Sequence, residues 1–563
     1  MSVDQEALDG SANELAESTE SGVGRRDFVK MALAAATAGG LVGRATATGQ
    51  EPVRPQQQQQ PPLPPLGNGE PPALMYQAYP GGTGAYLEKI AKERGRAAFE
   101  RARFVVEPWK GPVPTAAEEI AFLPLHRLSA LVKARKVSSV TLTEIYLERL
   151  KRLDPTLLCA VTIMEAQAKE AAQQADNEIR SGQYRGPLHG IPWGVKDLFA
   201  TKGVRTTWGS KDFENQMLDY DAEMVVRLRD AGAVLIAKLA TGMFAQGDNW
   251  YRGQTKNPWN VAQGASGSSA GPGSATAAGC VAFALGTETQ GSIVSPSIRC
   301  GISALRPTFG RVSRYGGMVL AWTMDKVGPM CRTVEDCALL FNTIHGVDEK
   351  DPATVMAPFQ FDRHADLRTF RIGFDERAPK EFVDKLHELG ADPKPMPARP
   401  DTRGVNSLGV ESAAAFDFYV ASWPPLPADS MAMLADTTGG RGRGGGGTRG
   451  RFSRGRTVTA LEFLQSQRRR LILMRKMAEL MQGFDMYVSG QGDVGLTNQT
   501  GHPAVVLPYA FGPPLNAQGQ PQGQIAQPLC TTIIGDLFAD DKILSVAHAY
   551  QRATDWHERH PKL

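Results

Sequence analysis

The chain has 563 residues, of which 42% are hydrophobic, and its formal net charge is +3 at pH 7. This length and apolar content suffice for a large buried core and allow either one large α/β domain or several smaller ones. The near-neutral net charge excludes an overall positive charge of the kind that binds nucleic acid or an acidic membrane surface. Any partner therefore has to be inferred from local motifs.

The amino terminus has the features of an export signal. Arg25 and Arg26 are followed by the short apolar run MALAAATAGGLVG and then by small residues. This order is typical of a twin-arginine signal peptide over residues 1–47, with cleavage after Ala47. The apolar run is too short for a stable membrane span, so we expect a periplasmic or secreted protein without a span after cleavage.

Composition divides the rest of the chain into segments. Residues 48–72 are rich in Pro and Gln and predict a disordered linker. Residues 73–118 predict a helical lead-in, and residues 119–563 predict a single domain. Within it, the Gly/Arg-rich insert at 439–456 is either a nucleic-acid-binding arm or a flexible loop, and its single, interior position favours the loop. We therefore expect no nucleic-acid partner.

Helix-like and strand-like segments alternate through the domain. The segment TLTEIYLERLKRL begins with a capping box from Thr141 to Glu144 and places apolar residues on one helical face. Short apolar or β-branched runs have the composition of strands, namely IPWGV, AVLIAKL, FRIGF, MYVS and AVVLPY. The alternation predicts an α/β fold with a mixed, mostly parallel twisted sheet covered by helices on both faces.

The six cysteines do not form a metal-ligand pattern. They are too far apart for a CxxC pair, and no histidines lie beside them at zinc-ligand spacing. Their positions within apolar runs such as AAGCVAF favour buried free thiols over a disulfide framework, although export would permit a bridge. We expect no metal site and no cofactor.

Residues 263–297 contain two serine- and glycine-rich turns and no histidine. A nucleophilic serine needs a base to remove its proton, and the nearest candidate is Lys196 in GVKDLF. The string GSSAG, centred on Ser269, matches the GxSxG elbow of α/β-hydrolases, but the preceding NPWNVAQGAS is typical of turn and loop, and no Asp and His partners can be picked downstream. Two serines and a lysine are therefore the expected chemistry.

These turns resemble the amidase signature family of serine hydrolases, together with CGISALRPTFGRVS and MDKVGPMCRTVEDCALL downstream. The resemblance runs from about Glu119 to the carboxyl end and includes GPLHGIPWGVKDLF, KNPWN and LTNQTGHPAVVLP. It implies a catalytic triad of a serine, a second serine after a cis peptide bond, and a lysine.

The resemblance gives each triad residue a role. Ser292 in TQGS would attack the amide carbon, Ser268 after a cis bond from Gly267 would relay the proton, and Lys196 would be the base. Burial of a lysine favours its neutral form, which suits a base.

The turn that contains the nucleophile would also stabilise the oxyanion. The backbone N–H groups of Thr289, Gln290 and Gly291 would point at the developing negative charge. Gly267 and Ser269 would support the first turn.

The chain departs from the family pattern beside the nucleophile. ETQGSIVSP stands where the family has DxGGSIRxP, so Glu288, Gln290 and Val294 replace an aspartate, a glycine and an arginine. We expect Glu288 to pair with another cation, such as Arg299, and Gln290 to narrow or polarise the pocket mouth.

Four further residues have open roles. Asp197 would raise the pKa of Lys196 if the two touched, so we expect it to face away, toward backbone or solvent. His502 is interpreted as a structural turn residue. Met243 and Phe244 in TGMFAQG either line the substrate pocket or pack in the core.

These observations predict an exported serine amidase that hydrolyses the C–N bond of a small-molecule amide through an acyl-enzyme on Ser292. One alternative is the glutaminase-type A subunit of a glutamyl-tRNA(Gln)/aspartyl-tRNA(Asn) amidotransferase, which works with partner subunits and charged tRNA. Another is a non-catalytic amide-binding relative, suggested by the altered residues at the nucleophile. The oligomeric state is open, with a homodimer as one option.

Overall fold

The computed structural model describes residues 83–420, 452, 455–490, 492–514, 520–521 and 523–563. These residues all belong to one compact unit, Leu63–Leu563. The predicted signal peptide and linker, and most of the Gly/Arg-rich insert, lie outside the described residues and stay predictions.

The helices of the described ranges are, in chain order, α1 (Thr83–Arg94), α2 (Ala117–Phe122), α3 (Leu125–Lys133), α4 (Ser139–Leu157), α5 (Glu165–Arg180), α6 (Glu223–Asp230), α7 (Ala270–Ala277), α8 (Val294–Cys300), α9 (Val334–Ile344), α10 (Lys380–Glu388), α11 (Ser407–Ala415), α12 (Asp417–Val420), α13 (Ala460–Met481), α14 (Val494–Thr500) and α15 (Asp540–Arg552). Short 3₁₀ helices lie at Arg96–Phe99, Lys211–Phe213, Met243–Ala245, Leu367–Thr369 and Trp556–Glu558. In this part of the chain no helix is both long and apolar enough to cross a membrane.

The strands are β1 (Ala160–Ile163), β2 (Pro192–Lys196), β3 (Val234–Leu239), β4 (Asn249–Trp250), β5 (Gly253–Gln254), β6 (Lys256–Asn257), β7 (Asn260–Gly264), β8 (Phe283–Glu288), β9 (Ser303–Arg306), β10 (Lys326–Cys331), β11 (Ile372–Phe374), β12 (Lys394–Pro395), β13 (Met486–Ser489), β14 (Ala504–Gly512) and β15 (Gln527–Gly535). Eleven of them form one sheet in the order β1-β3-β2-β8-β10-β9-β14-β15-β13-β11-β12. The five sequence runs predicted as strands correspond to β2, β3, β11, β13 and β14.

The predicted α/β class and the mixed sheet are confirmed, but the expected excess of parallel neighbours is not. β2 runs parallel to β3 and β8, and β11 runs parallel to β12 and β13. The other six pairings in the sheet are antiparallel. One reason is the connection from β9 to β10, which contains no helix, so these strands pair without the crossover that a parallel pair requires.

Both faces of the central sheet are covered. Every residue of β2, β9 and β10 is buried, and successive side chains of a strand point to opposite faces. Helix α7 packs on β2, β3 and β8, while α9 and α15 pack against β9, β10, β14 and β15. The core therefore lies in layers on either side of the sheet.

Helix α4 starts one turn earlier than its sequence predicts. Ser138 is the cap, because its hydroxyl accepts the N–H of Thr141 at 2.9 Å, so the predicted capping box from Thr141 is wrong. The predicted apolar face is correct, since Leu142, Tyr146 and Leu150 have no exposed surface. The start of the helix was therefore predicted three residues too late, because more than one residue near it can act as a cap. The buried face was predicted correctly from the helical period.

Helix α7 is built from small residues so that it can approach the sheet closely. All eight of its residues are buried. A Cβ on Gly271 would lie 2.3 Å from the backbone nitrogen of Ala240, just after β3, so a larger residue cannot be accommodated there without movement. This close contact brings the serine turn that precedes α7 to the carboxyl ends of the neighbouring strands.

The cysteines are part of the core. All six are buried and unpaired, and burial raises the pKa of the Cys300 thiol. Such thiols pack as small apolar side chains. The described residues contain no cluster of three or more His, Cys, Asp or Glu side chains that could hold a metal ion.

Candidate active site

The predicted catalytic residues come from three segments that meet at one edge of the sheet. Lys196 ends β2 and Glu288 ends β8, and these two strands are parallel neighbours. The turn before α7 lies against the turn after β8, where the Ser269 N–H donates to the Ser292 carbonyl at 3.1 Å. Residues distant in sequence thus share one site because parallel strands end at the same edge.

A buried lysine contacts the first serine turn. The Nζ of Lys196 lies 2.8 Å from the Oγ of Ser268 and 2.8 Å from the Oγ1 of Thr287. The peptide bond between Gly267 and Ser268 is cis. A proton can pass directly between the lysine amine and the Ser268 hydroxyl at this separation.

The surroundings of Lys196 favour its neutral form. The side chain has no exposed surface. Burial holds the pKa of Lys196 well below its ordinary value, and the negative charges of Asp325 and Glu288 oppose this shift only in part. A neutral amine can accept a proton, so the group can serve as a base.

Ser269 is engaged in backbone contacts and does not form a nucleophile elbow. Its hydroxyl donates to the Thr287 carbonyl at 3.1 Å and accepts the Thr287 N–H at 3.2 Å. The strand before this turn, β7, belongs to a two-stranded ribbon with β6 and not to the central sheet. The hydroxyl of Ser269 therefore fixes the first turn to β8.

The turn between β8 and α8 presents backbone donors beside Ser292. Gly291 has φ of +97°, which is readily reached only by glycine. Among the residues that the structure describes, no acceptor is bound by the N–H groups of Gln290, Gly291 or Ser292. Ser292 is half-buried and Gln290 is exposed. Such free donors can stabilise a negatively charged oxygen.

Glu288 fixes the other end of this turn. One carboxylate oxygen accepts the N–H groups of Ile293 and Val294 at 2.8 and 2.9 Å. The other accepts Arg306 at 3.0 Å and Asn498 at 2.7 Å. Burial alone would raise the pKa of Glu288, but these partners bring it below its ordinary value.

The expected pairing of Glu288 with Arg299 is wrong. Arg299 donates instead to the side chain of Gln263 at 3.0 Å. The partner of Glu288 is Arg306, at the end of β9, which lies two strands away from β8 across β10. Sequence proximity favoured Arg299, whereas the sheet order decided the contact.

Asp197 and His502 both have structural contacts. Asp197 is buried and lies 3.2 Å from the Nζ of Lys238, while it accepts the Thr207 N–H at 2.9 Å. It therefore faces a second lysine and not solvent. The ring of His502 lies 2.9 Å from the Thr500 hydroxyl.

A cavity of about 420 Å³ adjoins the site. It is lined by apolar residues of the 316–320 segment and reaches Ala245, Thr287, Thr289 and Asp325. Met243 and Phe244 do not line it.

Phe244, a predicted pocket residue, is 1% exposed and belongs to an aromatic cluster. Its ring lies 5.0 Å from that of Phe416 and 5.9 Å from that of Phe213. For Phe244 the core-packing interpretation is therefore the correct one. Met243 is only partly buried and packs against the same cluster.

Thr287 and Asp325 are residues of the site that were not predicted from the sequence, whereas Thr289 was predicted there for its backbone N–H group. Thr287 and Thr289 flank Glu288 in the string TET, and the two-residue period of a strand places both on the face opposite Glu288. This period could have identified Thr287 as a neighbour of Lys196. Asp325 lies in MDKVGP, which served only to recognise the family.

Comparison with known proteins relates the whole domain to one family. A family profile described as Amidase matches residues 141–490. The chain is 34% identical over 493 residues to the A subunit of glutamyl-tRNA(Gln) amidotransferase from Methylococcus capsulatus, covering 78% of this chain and 98% of that protein. It is 33% identical to the protein of the same name from Roseiflexus sp., covering 76% and 96%.

A solved structure agrees with the match to the Amidase family. The crystal structure of an amidase family protein from Bacillus anthracis is 27% identical, with a TM-score of 0.67, and the match covers 79% of this chain and 94% of that one. The names of the sequence relatives contradict the main sequence-based prediction of an exported amidase for small amides. They favour the alternative, the A subunit of an amidotransferase.

Proposed function

Because this chain belongs to the amidase family, we propose that it releases ammonia from the side-chain carboxamide of glutamine, as the A subunit of a glutamyl-tRNA(Gln) amidotransferase. The observation that carries the chemistry is the buried contact of 2.8 Å between Lys196 and Ser268, beside the turn of Ser292. The relatives' names support an amidotransferase A subunit, and glutamine is the amide donor that we propose for it.

In the proposed reaction the proton moves along a chain of three residues. Neutral Lys196 takes the proton of Ser268, and Ser268 takes the proton of Ser292 as its oxygen bonds to the carboxamide carbon. The oxyanion that forms is stabilised by the free N–H groups of the turn. The proton then returns through Ser268 to the leaving nitrogen, the C–N bond breaks, and ammonia departs.

The second half of the reaction uses the same groups. A water molecule loses its proton to the relay and attacks the acyl carbon on Ser292, and the ester bond breaks. Glutamate is released, and the Ser292 hydroxyl recovers its proton. Lys196 ends the cycle neutral, as it began.

The altered residues at the nucleophile are compatible with turnover. Glu288 is longer by one methylene than the aspartate of the family pattern, and it reaches two N–H groups that follow Ser292. Arg306 supplies the cation that is missing at Val294. The turn is therefore supported, which argues against a non-catalytic relative.

A chain that acts as the A subunit of an amidotransferase works together with partner subunits. We propose that partner subunits hold the charged tRNA and receive the ammonia that this chain releases. This replaces the expectation of a protein without a nucleic-acid partner.

The test is the release of ammonia from glutamine by the purified full chain, compared with Ser292→Ala and Ser295→Ala. Ser295 lies three residues later on α8, and its variant serves as the matched control. We expect Ser292→Ala to lose both ammonia release and labelling by a fluorophosphonate probe, and Ser295→Ala to keep both. Labelling of Ser292→Ala would exclude Ser292 as the nucleophile. Efficient hydrolysis of anilides without hydrolysis of glutamine would exclude the glutaminase.

A further inference from the structure

Asp325 connects the wall of the cavity to the oxyanion turn. This is the turn between β8 and α8 that carries the free N–H groups of Gln290, Gly291 and Ser292. The Oδ1 of Asp325 accepts the hydroxyl of Thr289 at 2.6 Å. Its Oδ2 accepts the N–H groups of Leu320 and Ala321 at 2.8 and 3.0 Å. A single carboxylate therefore ties the first residue of the oxyanion turn to the segment that lines the cavity.

This contact restrains the turn at the point where it leaves the sheet. Thr289 is the first residue after β8, and the next three residues carry the free N–H groups. At the other end, Glu288 binds the N–H groups of Ile293 and Val294. The turn is thus held from both sides, and the contact with Asp325 involves the side chain of Thr289, a residue of the turn itself.

We propose that Asp325 is a positioning residue of this enzyme, which aligns the oxyanion turn through the Thr289 hydroxyl. The inference rests on the proposed triad but not on glutamine as the substrate. It predicts a slower reaction when the contact between Asp325 and Thr289 is lost.

This role is tested with a double-mutant cycle of Thr289→Val and Asp325→Ala in the full chain. The readout is the rate of Ser292 labelling by a fluorophosphonate, which needs no substrate. We expect each variant to slow labelling by about 10- to 100-fold, since misplacement of about 1 Å can cost that much. The double variant should be no slower than the slower single variant. Thr289→Ser, which keeps the hydroxyl, should restore most of the rate.

Independent effects would overturn the proposal, because they would show that Asp325 does not act through Thr289. An unchanged rate in Thr289→Val would overturn it as well. Thr289→Val keeps the volume of the side chain, so this arm remains informative if Asp325→Ala fails to fold.

If the wild-type chain is labelled but does not hydrolyse glutamine, the proposed substrate is wrong, and the role of Asp325 is still measured.

Discussion

Replacing Glu288 with glutamine tests whether the nucleophile turn depends on a buried charge. Glu288 and Arg306 both have no exposed surface, and their side chains lie 3.0 Å apart. The glutamine amide has the shape of the carboxylate, but its NH₂ group cannot accept a hydrogen bond. One end of the side chain must therefore lose its donors, and Arg306 loses its counter-charge.

The structure gives the expected size of the effect. Breaking a buried ion pair by removing one partner costs about 3–5 kcal/mol, because the remaining charge stays buried without compensation. We therefore expect Glu288→Gln to lower the free energy of unfolding by about 3–5 kcal/mol at pH 7. The double variant Glu288→Gln with Arg306→Met should cost about 1–3 kcal/mol less than the sum of the single variants.

The effect should also depend on pH in one direction. The folded-state pKa of Glu288 lies below its ordinary value, so its stabilisation is present above the unfolded pKa of about 4.3 and is lost as the pH falls through the folded pKa. The difference between wild type and Glu288→Gln should therefore be full at pH 7 and shrink below about pH 4.

The assay is urea unfolding followed by tryptophan fluorescence, with fluorophosphonate labelling as the functional readout. Asp384→Asn is the control, because Asp384 forms an exposed pair with Lys380 on α10, and it should behave as wild type. A Glu288→Gln variant within about 1 kcal/mol of wild type at pH 7, with normal labelling, would refute the reasoning.

Three further outcomes are expected. Lys196→Met should slow labelling by about 10²- to 10⁴-fold, because the base is lost. The protein should stay folded by circular dichroism, since methionine fills a similar volume without a buried amine. Normal labelling of this variant would exclude Lys196 as the base. Gly271→Ala should lower the free energy of unfolding by about 1–3 kcal/mol, because the added Cβ would lie 2.3 Å from a backbone nitrogen. Gly495→Ala is the control and should not lower it, because a Cβ there would have no atom within 4 Å. Phe244→Ala should cost about 3–5 kcal/mol of stability and leave the KM for glutamine unchanged, whereas a changed KM at full stability would indicate substrate contact.

Chemistry and local structure could be predicted from the sequence at particular positions. The runs IPWGV and AVLIAKL form β2 and β3, because their composition and period are local properties of the chain. Two serine-rich turns without histidine, and Lys196 upstream of them, indicated chemistry based on serine and lysine. The resemblance to the amidase signature family, and not the residues alone, implied the relay through Ser268.

The directions of the strands could not be predicted in the same way. Alternation of helices and strands suggested parallel neighbours, but β8, β10 and β9 alternate in direction within the sheet. Pairing depends on which strands become neighbours after the long connections have closed. No local pattern encodes that choice.

The sequence by itself determined which groups this protein can use for chemistry, because side-chain reactivity and strand or helix periods are properties of individual residues and their near neighbours. Only the tertiary structure decided which groups touch. It placed Arg306 and not Arg299 on Glu288, packed Phe244 in the core, and brought Asp325 to Thr289. The physical reason is that these contacts depend on sheet order and on burial, and both arise only when distant segments pack together.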